Sequence, residues 1–396
     1  MNPSSSGWIN KFGHLVEQES SPFEDFNDLY GELKANGFIY GVHLRIPSFI
    51  EVQHALSEDE IAKINLLTAL YFTYTFEVGK TDFEAFVNKV FEYYQSLDVS
   101  RISFLNKILM GSKTESQLEK LIDSRIYLSD NTFSRALGNS LTNSLLYVDI
   151  LIFTIYLRGE KNMMEHAQLL EYVTINIVYH ALNSKETHES DAKLIQLLGS
   201  SLTYVDLDEA EFEGNYSDLL TQNFSENEKD YFLDMACLTI WEDKHLDYTE
   251  TDYIFSLGKD LGKSKKQIES ELEFVQDFFE KNKDKVAYLN SKNLAVQFYD
   301  GMSKNVSKLI LRNSKRLKKE LAESRELVSL LSKSTVKDLS AEEKKKVQDQ
   351  LLDIFKSIPS LAIFMLPGGA ILLPIFIKLI PKLLPSAFDD NRVEEN

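Results

Sequence analysis

The carboxylates Asp243, Asp247 and Glu250, with Glu242 beside them, are the best candidate set of oxygen ligands in this sequence, and oxygens of this kind suit a divalent cation. A calcium loop needs acids at alternate positions closed by a glycine, a pattern this run lacks. Asp247 and Thr249 read more simply as helix caps, with Asp252 in a first turn whose dipole favours an acid. A metal at Asp243, Asp247 and Glu250 stands as the alternative to capping. The seven histidines are scattered, none with a histidine or cysteine three to five residues away, so no zinc set forms. Cys237 is the one cysteine, which excludes an internal disulfide and any multi-cysteine metal site. It sits in the apolar run Met235-Ala236-Cys237-Leu238, where a buried, inert thiol is expected. Glycine-rich phosphate loops and nucleophile elbows are absent. The chain is therefore expected to be no enzyme and to need no cofactor.

A second chemistry lies in charge rather than in ligands. The 396-residue chain carries a net charge of −18, which sets nucleic acid aside as a partner for its body. Residues 303–348 run the other way, with thirteen Lys or Arg against six Asp or Glu, a local charge of +7. Lys315, Arg316, Lys318 and Lys319 form one knot of that patch, and Lys344, Lys345 and Lys346 another. Val306, Ile310, Leu317, Leu321, Val328 and Leu331 recur among them at helical spacing. One long amphipathic helix is predicted, its stripe interrupted at Asn313 and Ser324.

Immediately after this patch, Ile358 to Ile377 are twenty consecutive residues without a charge. A run of that length is a membrane-span candidate, since about 20 helical residues cross a ~30 Å hydrocarbon layer. Prolines punctuate it: Pro359, Pro367, Pro374, Pro381 and Pro385, five of the chain's eight. Eleven Leu, Ile or Phe residues lie between 358 and 377. They favour insertion by roughly 3–7 kcal/mol, while an interior proline costs a helix about 3 kcal/mol. A lone span is thus marginal, and self-association or other membrane helices are expected to support it. Gly368 and Gly369 after Pro367 also permit a re-entrant turn, and a hydrophobic hairpin buried in the body is the third option. Positive charge before the run and a tail of net −3 after it orient a span with the body in the cytoplasm. Anionic headgroups would attract the basic patch, so the bilayer is the expected partner. Met1 to Gly13 lack the basic-then-apolar layout of a secretory leader, consistent with a cytoplasmic body.

The elements that must position these residues read as helices. Glu58–Phe76, Asp82–Leu97, Thr142–Leu157 and Asp230–Trp241 are apolar on a period near 3.6. Only Phe38–Ile50 reads as a short strand or extended arm. The expected fold is all-α. Helix-ending turns near Gly79, Gly159 and Asp243 recur every 80 to 84 residues, through related modules or through chance among Lys- and Glu-rich turns. Composition divides the chain into an N-terminal arm (1–55), a helical body (56–225), a further helical module (226–290) and a long basic amphipathic region (291–356). A proline-rich membrane segment (357–388) and an acidic tail (389–396) complete it.

Two stretches resemble known families. Met235–Asp243, Leu246-Asp247-Tyr248-Thr249-Glu250 and Leu257-Gly258-Lys259-Asp260-Leu261-Gly262 resemble the tellurite-resistance TerB-like helical domain over 226–283, although Lys244 stands where that family usually has glycine. Leu339-Ser340-Ala341-Glu342-Glu343, Leu352–Pro359 and Leu372–Phe388, ending in Leu384-Pro385-Ser386-Ala387-Phe388, resemble the LETM family of inner-membrane proteins. A bacterial, biofilm-associated branch pairs such an end with a long helical body, and the chain is similar to it. That resemblance implies a non-enzymatic scaffold in the bacterial inner membrane, with Ile358, Pro359, Pro367, Gly368, Gly369, Pro374, Lys378, Pro381, Pro385 and Phe388 in the membrane segment. Cation/proton exchange, which the family's span serves with a glutamate, is the alternative. Ala370 occupies the aligned position here, and exchange would need an intramembrane carboxylate. A soluble helical regulator with a buried tail is the third reading.

Overall fold

The computed structural model describes residues 1–18, 21–97, 114–126, 146–160, 162–184, 192–202, 216–220, 224–241, 248–285, 294–358, 361 and 372–389. Every regular element among them is a helix, as the periodicity predicts. The first six are α1 (Trp8–Gln18), α2 (Phe26–Ala35), α3 (Glu58–Val78), α4 (Phe83–Ser96), α5 (Glu115–Ile126) and α6 (Leu146–Leu157). Sequence fixes α3 at both ends. The Ser57 hydroxyl accepts the Glu60 amide, and the Glu60 carboxylate accepts the Ser57 amide at 2.8 Å, a reciprocal cap. Gly79 closes the helix in the left-handed region at φ +69°. Between these stops every residue from Ala62 to Tyr74 is buried, the mark of a helix at the middle of a large core. Helices α2, α4, α5 and α6 pack directly on it, and α1 packs on α5. Residues 1–55, expected as an arm, thus hold two helices and a loop whose Phe38, Ile39 and Tyr40 are buried.

The second layer is built on α7 (Met163–Ser184), which touches α6, α8 (Ala192–Leu202), α10 (Glu226–Ile240) and α11 (Tyr248–Asp260). A short α9 (Tyr216–Leu220) leans on α11, and α12 (Lys265–Asn282) closes α10 and α11. Cys237 lies on α10, buried, and burial raises its thiol pKa well above the ordinary range. The sequence expectation of an unreactive core thiol agrees with this placement.

The basic region differs from expectation. It is not one rod but α13 (Leu294–Arg312), α14 (Ser314–Glu323), α15 (Arg325–Ser334) and α16 (Ala341–Ser357). Two of the three breaks fall at the residues that interrupt the apolar stripe, and the third is the turn at 335–340. Asn313 bonds its side-chain amide back to the Leu309 carbonyl at 2.7 Å, competing with the helix, and Ser324 leaves it at ψ 83°. Bending at these points lets the apolar faces fold around α17 (Leu373–Leu383) and α18 (Ser386–Asp389). The packet α13–α18 joins the body through α8, which touches both α13 and α17.

Of the expected twenty-residue span, only Ile358, Leu361 and 372–377 are among the described residues. Among the described residues no helix is long and apolar enough to cross a membrane. Leu373–Ile377 belong to α17, whose 11 residues reach only about 16 Å. Leu373, Ile375, Phe376, Ile377 and Ile380 are buried against the chain's own helices. The middle of the run, residues 362–371, lies outside the described residues.

Candidate functional site

Two clusters of charge lie in the body, and their burial decides their role. Arg125 on α5 grips Asp149 on α6 with two bonds, Nε at 2.5 Å and Nη2 at 2.8 Å. The Tyr94 hydroxyl adds a third at 2.9 Å, and that of Tyr93 donates to the Asp149 carbonyl at 3.0 Å. Burial alone would lower the guanidinium pKa, but Asp149 outweighs it and holds it above its ordinary value. The second cluster joins α2, α10 and α12. Asp234 accepts Tyr30 at 2.5 Å, Tyr40 at 2.9 Å and the Lys34 ammonium at 2.9 Å, and Lys34 also pairs with Glu271. Burial, the largest influence, and the Asp234 charge together raise the Glu271 carboxyl above the usual range. Asp149 and Asp234 are 0% and 1% exposed, so each acts as the buried centre of a clamp between helices.

The acidic turn proposed for a metal cannot be placed the same way. Asp243 and Asp247 lie outside the described residues, and the Glu250 side chain is not described, although its backbone belongs to α11.

The C-terminal packet carries the other sequence-chosen residues. Lys315, Arg316, Lys318 and Lys319 are all exposed on α14, as are Lys345 and Lys346 on α16, while Lys344 is half-buried. A reciprocal cap starts α16: the Ser340 hydroxyl accepts the Glu343 amide, and the Glu343 carboxylate accepts the Ser340 amide at 3.0 Å. Glu343 also pairs with Lys333 on α15, and Lys346 reaches Glu326 at 3.1 Å. Ile358 is buried where α16 ends. Pro374 opens α17, a position where its missing N–H costs nothing, and Pro381 lies inside that helix. Pro385 makes the turn into α18, where Phe388 is half-buried. Pro359, Pro367, Gly368 and Gly369 lie outside the described residues.

Between α8, α13, the α15–α16 turn and α17 opens a groove of about 290 Å³. Lys337, Lys344, Lys378 and Lys382 line it. The last two stand four apart on α17 and so share one face. Leu197, Leu339 and Ile375 give the groove an apolar floor, while Tyr299, Ser334 and Thr335 bring hydroxyls. Sequence reading singled out Lys344 and Lys378 but missed Lys382 and Tyr299. The available signal was two lysines at helical spacing on an otherwise apolar stretch, Leu372 to Leu384.

Fold and packet together define an all-helical protein ending in a basic, proline-marked helical unit. Residues 339–396 match the family model described as LETM1-like, RBD, which supports membership of the LETM family through that segment. No curated protein and no solved structure matches the chain.

Proposed function

We propose that the chain is a non-enzymatic, membrane-associated helical scaffold of the bacterial envelope, with its body on the cytoplasmic side of the inner membrane. One observation carries this reading. The LETM-like segment, 339–396, begins inside the basic region 303–348 and carries exposed Lys345, Lys346, Lys378 and Lys382, on a chain whose net charge is −18. Such a segment is drawn to anionic headgroups by roughly 1 kcal/mol per basic residue near the surface. The link to biofilm rests on the similarity of the whole layout to the biofilm-associated branch.

The burial of α17 favours a second reading, a soluble regulator whose tail packs internally. Fractionation of cells expressing the full chain, beside a chain cut at Lys356, separates the two. Membrane recovery of the full chain and its loss on truncation support the scaffold. Full recovery of the intact protein in the soluble fraction would overturn it. Carbonate washing then divides surface attachment, which it releases, from stable insertion. Cation/proton exchange is a further alternative, and proton flux driven by potassium or calcium in liposomes of the purified protein would establish it.

A further inference from the structure

Paired charge is common across this protein. Lys34 meets Asp234 and Glu271, Lys63 meets Asp123, and Lys263 meets Glu226 and Asp230. Within the packet Lys333, Lys346 and Lys356 each have a carboxylate. Among the described residues Lys337, Lys344, Lys378 and Lys382 have none within 4 Å, and there Asp338 is the one acid that lines their groove. Acids outnumber bases 61 to 43 in the chain, yet these four lysines line one cavity with no ion-pair partner among the described residues.

We propose that this groove binds the phosphate head of an amphipathic ligand, with the lysines on the phosphate and the ligand's apolar part along Leu197, Leu339 and Ile375. Three independent features point to that chemistry. Lysines of α16, of the turn before it and of α17 line one cavity, so a single multiply charged oxyanion can meet several at once. The first turn of α17, at Pro374 and Ile375, lines the same cavity. Leu372 gives that helix end no side-chain cap and its first turn has no acid, so among the described residues its positive dipole end is unanswered. The floor is apolar and the Tyr299 hydroxyl has no partner among the described residues, which suits a ligand with both a polar and an apolar part. A volume near 290 Å³ admits a headgroup and the first part of a chain, not a whole lipid. The inference rests on the packet being the lipid-facing part of the molecule, but its test does not.

Calorimetric titration of the full chain with dihexanoyl phosphatidic acid, kept below its micelle concentration, reads the site directly. Saturable one-to-one binding is expected, weakened at least tenfold in K378Q/K382Q and in K337Q/K344Q. K318Q/K319Q, on α14 and away from the groove, is expected to bind as the native protein does. Dihexanoyl phosphatidylcholine, whose head is neutral overall, should bind at least tenfold more weakly. Absence of saturable binding, or equal loss in K318Q/K319Q, overturns the site. Inorganic phosphate binding as tightly as the phosphatidic acid overturns its amphipathic character and leaves free phosphate as the ligand. Vesicles of phosphatidylcholine with and without phosphatidylglycerol then show whether the membrane supplies the ligand: groove-dependent pelleting says that it does, and pelleting unchanged in K378Q/K382Q assigns the site to a soluble amphiphile. A native protein that fractionates with membranes yet ignores the short-chain lipid sinks the groove and leaves the scaffold standing. The reverse pair of results does the opposite.

Discussion

Phe355 and Phe376 meet edge to face, ring centroids 4.8 Å apart and planes at 80°. This contact ties α16 to α17 across the stretch that separates them in sequence, and both rings are fully buried. It is the point where the expected membrane run is held by protein instead.

Truncating one ring tests that hold. F376A is expected to cost about 3–5 kcal/mol, the range for removing a buried phenylalanine. Hydrogen exchange should then accelerate through Leu373–Leu383 first, while α3 keeps its protection. Uniform acceleration across the whole chain would show that the packet does not open as a separate unit.

The Arg125–Asp149 clamp predicts strong coupling. R125M leaves a buried carboxylate without its cation and should cost about 3–5 kcal/mol in urea denaturation. The double variant R125M/D149L removes both charges and should be more stable than R125M alone. Additive losses in the pair would mean the two side chains act independently.

His43 predicts acid sensitivity. It is buried, neither ring nitrogen has a partner among the described residues, and burial lowers its pKa from 6.5 to about 4. The folded chain therefore refuses a proton that the unfolded chain accepts below pH 6.5. Stability present above pH 6.5 is lost as pH falls toward 4, by about 3 kcal/mol in all for this group. Thermal melts of H43L should fall less steeply over that window than those of the native chain. Parallel slopes would remove His43 as the cause.

Ser340 sets the start of α16. S340A removes one half of its reciprocal cap and should cost about 1 kcal/mol. A melting temperature identical to the native value would mean that the Glu343–Lys333 pair holds the helix start unaided.

What the sequence makes legible follows from what a short window contains. The apolar pattern located α3, α4 and α10 to within a few residues, because α4 buries one face while α3 and α10 bury whole runs, Ala62–Tyr74 and Tyr231–Cys237, that a short window contains. The clamps were invisible for the opposite reason. Arg125 and Asp149 stand 24 residues apart and Lys34 and Asp234 stand 200 apart, and no local pattern announces such a partner. Hydropathy showed that Ile358–Ile377 avoid water, but apolar residues look the same whether lipid or protein surrounds them. In the basic region the interruptions at Asn313 and Ser324 were visible, and helix breaks are what they encode.

The helix α3 shows water no side from Ala62 to Tyr74. Its neighbours therefore come from far along the chain in both directions, α2 before it and α6 well after it. A fragment beginning near residue 56 would bare a greasy rod along the side that α2 covers, and such fragments should clump rather than fold. The opening segment is a keystone of the architecture, and trimming it is the surest way to lose soluble material.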